Sequence, residues 1–107
     1  MTTVTITRSH RDNKAYKAVF LEPDGRRKTV HFGSNYENYT QHKDKARRER
    51  YLARHAPREN WDDPRTAGAL SRWLLWHCTS LKAAITAYRK RFGFKSVVDR
   101  SNLSEEQ

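Results

Sequence analysis

The feature that most constrains this chain is Pro23-Asp24-Gly25, set between two runs that alternate apolar and polar residues. Proline presets φ for a turn and glycine offers a positive φ, so the flanking runs fold back on each other as antiparallel strands. Ala15 to Leu21 places Tyr16, Ala18 and Phe20 on one face. Lys28 to Phe32 places Val30 and Phe32 on one face and Thr29 and His31 on the other. Val4-Thr5-Ile6-Thr7 alternates in the same way, and Arg11-Asp12-Asn13 supplies the turn between it and the next run. The pattern predicts a three-stranded antiparallel meander within residues 3–33. A sheet this small is marginal alone and needs helices on its apolar face.

From residue 40 onward the period becomes helical. A first helix is expected from Thr40, as N-cap, to about Ala56, where Pro57 ends it. A second begins at Asp63, with Pro64 at the first helical position, and runs through Trp76 or His77. A third starts at Thr79 or Ser80 and carries Leu81, Ala84, Ile85, Tyr88 and Phe92 on one stripe, closed by Gly93. The expected fold class is α+β: a three-stranded antiparallel meander followed by two or three packed helices. Residues 1–94 form one basic domain, and the polar residues 95–107 read as a C-terminal tail.

With 107 residues there is material for one modest core, which excludes a two-domain enzyme with an interdomain cleft. Lys and Arg outnumber Asp and Glu by 22 to 12, a net charge of +10, while aromatics stand at 11%, too many for a disordered basic tail. The tail carries Lys95 and Arg100 against Asp99, Glu105 and Glu106, so the domain itself holds about +11. Cys78 is the single cysteine, which excludes an internal disulfide and a thiolate zinc knuckle and fits a reducing compartment. The opening residues have neither a basic nor an apolar leader region, so secretion is not expected. The longest apolar run, Trp73-Leu74-Leu75-Trp76, is far below the roughly 20 residues that span a bilayer, so no membrane partner is expected.

The charge is patterned. Lys43, Arg47, Arg50 and Arg54 are spaced four, three and four apart, which on one helix gathers them within an arc of about 60°. Tyr51, Leu52, His55 and Ala56 are read as the broadly opposite, sheet-packing face. A one-signed row about 16 Å long matches several phosphates, and arginine binds them bidentately. The alternative reading is an ordinary solvated face. A second cluster, Arg89-Lys90-Arg91, lies at the end of the third helix, where the macrodipole also favours cations. A third, Arg26-Arg27-Lys28, follows the Pro-Asp-Gly turn at a hairpin tip. On the second helix Leu70, Trp73, Leu74 and His77 form one stripe, leaving Leu75 and Trp76 outside it, either buried by the rest of the domain or presented to a protein partner.

Catalytic patterns are missing. There is no P-loop, no G-x-G-x-x-G and no G-x-S-x-G, and Asp44 and Glu49 are poorly spaced to share a helical face. His31, Asn35 and His42 follow a hairpin-then-helix order at a spacing too short for a ββα-metal nuclease. No cofactor and no metal is expected.

Several segments carry a resemblance: Lys28-Thr29-Val30-His31-Phe32-Gly33, Tyr39-Thr40-Gln41-His42-Lys43-Asp44, Arg50-Tyr51 with Arg54-His55, Glu59-Asn60-Trp61, and Thr66-Ala67-Gly68 before Ser71-Arg72-Trp73-Leu74-Leu75-Trp76. Over residues 26–92 this series resembles a small uncharacterised family of large eukaryotic double-stranded DNA viruses of the phycodnavirus and mimivirus groups. The resemblance implies a viral origin and a location in the virion or the infected-cell nucleus or cytoplasm. It transfers no functional residue. Charge pattern and resemblance together give the expectation of a non-catalytic protein that binds nucleic acid, most simply DNA, through its phosphates and serves the genome or its packaging. The other reading is a minor capsid or virion protein, with Leu75 and Trp76 against a neighbouring shell protein.

Overall fold

The computed structural model describes residues 1–34 and 37–101. Strands β1 (Thr3–Arg8), β2 (Tyr16–Leu21) and β3 (Arg27–Phe32) form the expected antiparallel hairpins, in register Thr5↔Val19 and Val19↔Thr29. Gly25 takes φ 89° at the β2–β3 turn, the conformation that called for glycine there. The chain then runs through α1 (Tyr39–His42), α2 (Lys45–His55), a 3₁₀ turn (Ala56–Arg58), α3 (Ala67–Leu70), a π-turn (Ser71–Leu75) and α4 (Leu81–Phe92), ending in β4 (Ser96–Asp99).

The fold is α+β, and the sheet is not a pure meander. It has four strands in the order β3-β2-β1-β4, with β4 parallel to β1 through Val4↔Val97 and Thr5↔Val98. Backbone bonds from Lys95 N to Thr2 O, 2.9 Å, and from Arg100 N to Ile6 O, 2.7 Å, bracket the pairing. The boundary expected after Phe94 is therefore corrected: residues 95–101 complete the sheet, and residues 102–107 lie outside the described residues. Ser101 is buried, held by Asp99 Oδ1, and its carbonyl accepts from Arg8 Nε at 3.0 Å.

The helices lie on one face of the sheet, so the core forms between that face and α3, the π-turn and α4. Val4, Ile6, Ala18, Phe20 and Phe32 meet Leu70, Leu74, Leu75, Ile85, Tyr88 and Phe94. Helix α4 follows its sequence signals closely. Ser80 Oγ caps Ala83 N, Ala84, Ile85 and Tyr88 are buried, and Gly93 ends the helix at φ 70°.

Two helices differ from expectation. The one expected over residues 40–56 is broken at Lys43, which takes φ 57°, and Asp44 restarts the chain by accepting from Ala46 N and Arg47 N. Its true start is a capping box at Asn38 and Gln41 rather than Thr40. The second helix starts not at Asp63 but after Thr66, whose hydroxyl accepts from Ala69 N, because Asp63 Oδ1 is used in a local turn with Arg65 N.

That second segment then widens into the π-turn, with Trp76 N bonded to Ser71 O at 3.1 Å. One extra residue in the turn rotates Leu75 inward beside Leu74. Leu75 is 2% exposed, so the expectation that it anchors a partner is corrected: it belongs to the core. Leu75→Ala is accordingly expected to cost about 2–5 kcal/mol, as large-to-small core substitutions do. Urea unfolding with an unchanged slope and a lower midpoint is the result to look for; an unshifted midpoint would return Leu75 to the surface.

Candidate nucleic-acid interface

Helix α2 carries Lys45, Arg47, Arg48, Arg50 and Arg54 against Glu49, and Tyr51 is its single buried residue. So polar a helix has little apolar surface with which to dock. Its seat is aromatic. The Tyr51 ring lies on Trp76, 4.1 Å between centroids and 3° from parallel, with His55 on Tyr51 at 4.2 Å. Arg48 Nε donates to the Trp76 carbonyl at 2.8 Å. Burial, and then the Glu59 carboxylate nearby, push the Tyr51 phenol up, so it stays neutral at any physiological pH.

This seat decides where the arginines lie. Tyr51 follows Arg47 by four residues and precedes Arg54 by three, so it borders their row instead of opposing it. Leu52 is half-buried and Ala56 exposed, which corrects the expected sheet-packing face. Arg47, Arg50 and Arg54 therefore line a groove of about 570 Å³, with Lys14 joining them from the β1–β2 turn and Trp76 and Leu75 from the π-turn. None of the three guanidiniums has an ion pair with a carboxylate among the described residues.

The carboxylates lining the same groove are Glu37 and Glu59. Glu59 is committed elsewhere: Trp61 Nε1 donates to it at 2.7 Å, and His55 Nδ1 stands 3.4 Å away. It fills the space above Gly68, where a Cβ would come within 2.6 Å of the carboxyl carbon.

The other expected site residues lie apart. Lys43 sits in the α1–α2 break, exposed and off the helix, and does not line the groove. Of the hairpin-tip cluster, Arg26 pairs with Asp24 at 2.6 Å, while Arg27 and Lys28 open β3, about 20 Å of strand from Gly33 at the groove. Arg89, Lys90 and Arg91 end α4. Arg91 covers Trp73 at 3.9 Å, and it and Lys90 border a separate concavity beside His77. Trp76 is half-buried and stacked, with no apolar patch beside it from Leu75. Lys14 was not anticipated, because only the tertiary meeting of the first hairpin with α2 brings it there.

Next to the groove, Arg72 lies over Trp73 at 4.2 Å and Trp61 at 5.3 Å, with Nε and Nη1 buried and without hydrogen-bond partners among the described residues. Burial, then repulsion from Arg48 and Arg91, lowers its proton affinity. His77 is shifted down by burial and then by Arg72. Among the described residues no group of three or more His, Cys, Asp or Glu is placed to hold a metal ion. No described helix is long and apolar enough to cross a membrane. Asn35 lies outside the described residues.

A family model described as "Family of unknown function (DUF5754)" matches residues 4–55. That span runs from β1 to the end of α2 and so holds Lys14, Arg47, Arg50 and Arg54, but not Trp76. No curated protein and no solved structure matches the chain.

Trp76→Ala removes the ring on which Tyr51 rests and is expected to loosen α2 selectively. Amide exchange should accelerate across residues 45–55 while α4 keeps its protection; uniform acceleration would show that the stack is ordinary core. A second expectation concerns pH. The unfolded chain protonates its histidines near pH 6.5, whereas native His77 and His31 resist the proton. Their contribution is present above that pH and declines as pH falls through it. Thermal midpoints should drop between about pH 7.5 and 5.5, and His77→Gln should flatten that drop without abolishing it.

Proposed function

We propose that this protein is a non-catalytic nucleic-acid-binding protein whose phosphate contacts are made in the α2 groove by Arg47, Arg50 and Arg54 with Lys14. The observation that carries the reading is a row of three guanidiniums without carboxylate partners among the described residues, facing one groove. Holding like charges together costs stability unless something offsets it, and among the described residues no carboxylate forms an ion pair with that row, Glu37 and Glu59 lining the groove without pairing to it. A phosphodiester chain supplies it repeatedly, and arginine meets each phosphate through a planar pair of donors. The choice of DNA, and a role in a viral genome or its packaging, belong to the same proposal and rest on the resemblance of residues 26–92. With Leu75 in the core and Trp76 stacked on Tyr51, the two residues expected to anchor a capsid contact are engaged within the domain.

Four groove cations correspond to a slope of about −3 to −4 in log K against log salt. Titrating labelled DNA of about 20 nucleotides, single-stranded and duplex, across a salt series measures it. Arg47→Glu with Arg50→Glu should weaken binding at least tenfold and flatten the slope. Binding that survives this double reversal unchanged, or no binding of either DNA form at low salt, ends the proposal.

A further inference from the structure

The α2 groove does not stop at Lys14. A second concavity of about 320 Å³ begins there, sharing Lys14, Ser34 and Asn38 with the first and continuing to Arg11 and Arg8 on the β1–β2 hairpin. The two adjoin at these shared residues, one on the face of α2 and the other at the β1–β2 hairpin. The second adds two guanidiniums and one carboxylate, Asp12. Arg8 is held in place by a backbone partner, the Ser101 carbonyl, which leaves its charge unneutralised by that contact.

We infer that the joined furrow is a track for a single strand of nucleic acid, running from Arg54 past Arg47 and Lys14 to Arg11 and Arg8. The inference rests on the phosphate reading above and narrows it. A helix that reads a duplex must turn its contact face outward to enter the major groove. In α2 the Arg47 end of that face is turned into the furrow, Arg47 being half-buried and its neighbour Tyr51 only 9% exposed, while Arg50 and Arg54 are exposed. A duplex carries its phosphates on a convex, two-stranded surface, and a concavity of this volume admits groups of nucleotide size and not a cylinder. Rings line the furrow beside the cations, Trp76 and Tyr51 in one half and Tyr16 in the other; Tyr51 is stacked between Trp76 and His55 and Tyr16 lies on Phe32, so a base would meet these rings at their edges. Cations following a backbone with aromatic rings beside them are the usual construction for single strands. An acidic protein segment would meet the charges but has no use for rings spaced along them.

The test uses the intact chain and fluorescence anisotropy with labelled oligo-dT, oligo-U and a mixed-sequence duplex of equal length, about 20 nucleotides each. One or both single strands should bind at least tenfold more tightly than the duplex, and the tighter of the two names the polymer. Arg11→Ala and Lys14→Ala should each weaken single-strand binding about threefold or more, and together lower the salt slope by about 1 to 1.5. Thermal midpoints close to wild type show that both variants remain folded. Duplex bound as tightly as single strands, with Arg47→Glu still abolishing binding, overturns the track and leaves the phosphate reading standing. Arg11→Ala and Lys14→Ala without effect on single strands also overturn it. Displacement of the bound strand by poly-glutamate as readily as by unlabelled oligo-dT reassigns the furrow to an acidic protein. Failure of every oligonucleotide to bind overturns the phosphate reading itself.

Discussion

The stack of Tyr51 on Trp76 is the interaction on which the arrangement of this molecule turns. Helix α2 has too little apolar surface to be held by burial alone, and its own charges would drive it away from a basic domain. A parallel stack of large rings contributes about 0.5–1.5 kcal/mol beyond the area it buries. The Arg48 donation to the Trp76 carbonyl ties backbone to helix at the same point. Because Tyr51 sits beside the arginine row, seating that ring turns the row toward the first hairpin. The groove is thus a consequence of how α2 docks.

Trp76 can serve as a platform because the chain before it adopts a π-turn. A continued α-helix would have left Leu75 about 140° from Leu70, outside the core-facing stripe. The Ser71–Trp76 bond admits one more residue into the turn and sends both Leu74 and Leu75 into the core. Core closure and the presentation of the indole to Tyr51 are therefore achieved by one backbone irregularity. A deformation of this kind has no signature in hydrophobic spacing.

Local rules were legible where local interactions decide the outcome. The turn at Gly25, the faces of β2 and β3, and the cap, stripe and end of α4 are all settled within a few residues of themselves. Elements decided by competition or by distance were not. Asp44, a good N-cap, splits a helix that periodicity alone would join, and with the split Lys43 leaves the row. Val97 and Val98 are β-branched residues of strand type, yet a four-residue parallel strand forms only because α4 returns the chain to the free edge of β1. Arg47, Arg50 and Arg54 were found by spacing. Lys14, Arg11 and Arg8 required the tertiary fold, since nothing in a hairpin turn announces which helix it will face.

The 22 lysines and arginines then separate by what the fold asks of them. Arg65 joins Glu22 and Thr2 while covering Phe20 and Phe94, and so fastens the loop before α3 to the sheet. Arg48 holds Trp76, while Arg72 and Arg91 lie on Trp73. These cations hold the fold together, through carbonyls, rings and a carboxylate of the chain itself. Arg47, Arg50 and Arg54 form no such bonds among the described residues, although they line one groove on a helix seated by its stacked ring. Net charge alone does not distinguish the two sets. The distinction lies in whether the fold has already supplied a carboxylate, ring or carbonyl partner, and it is on the second set, without such partners among the described residues, that the proposal of an anionic chain in the groove rests.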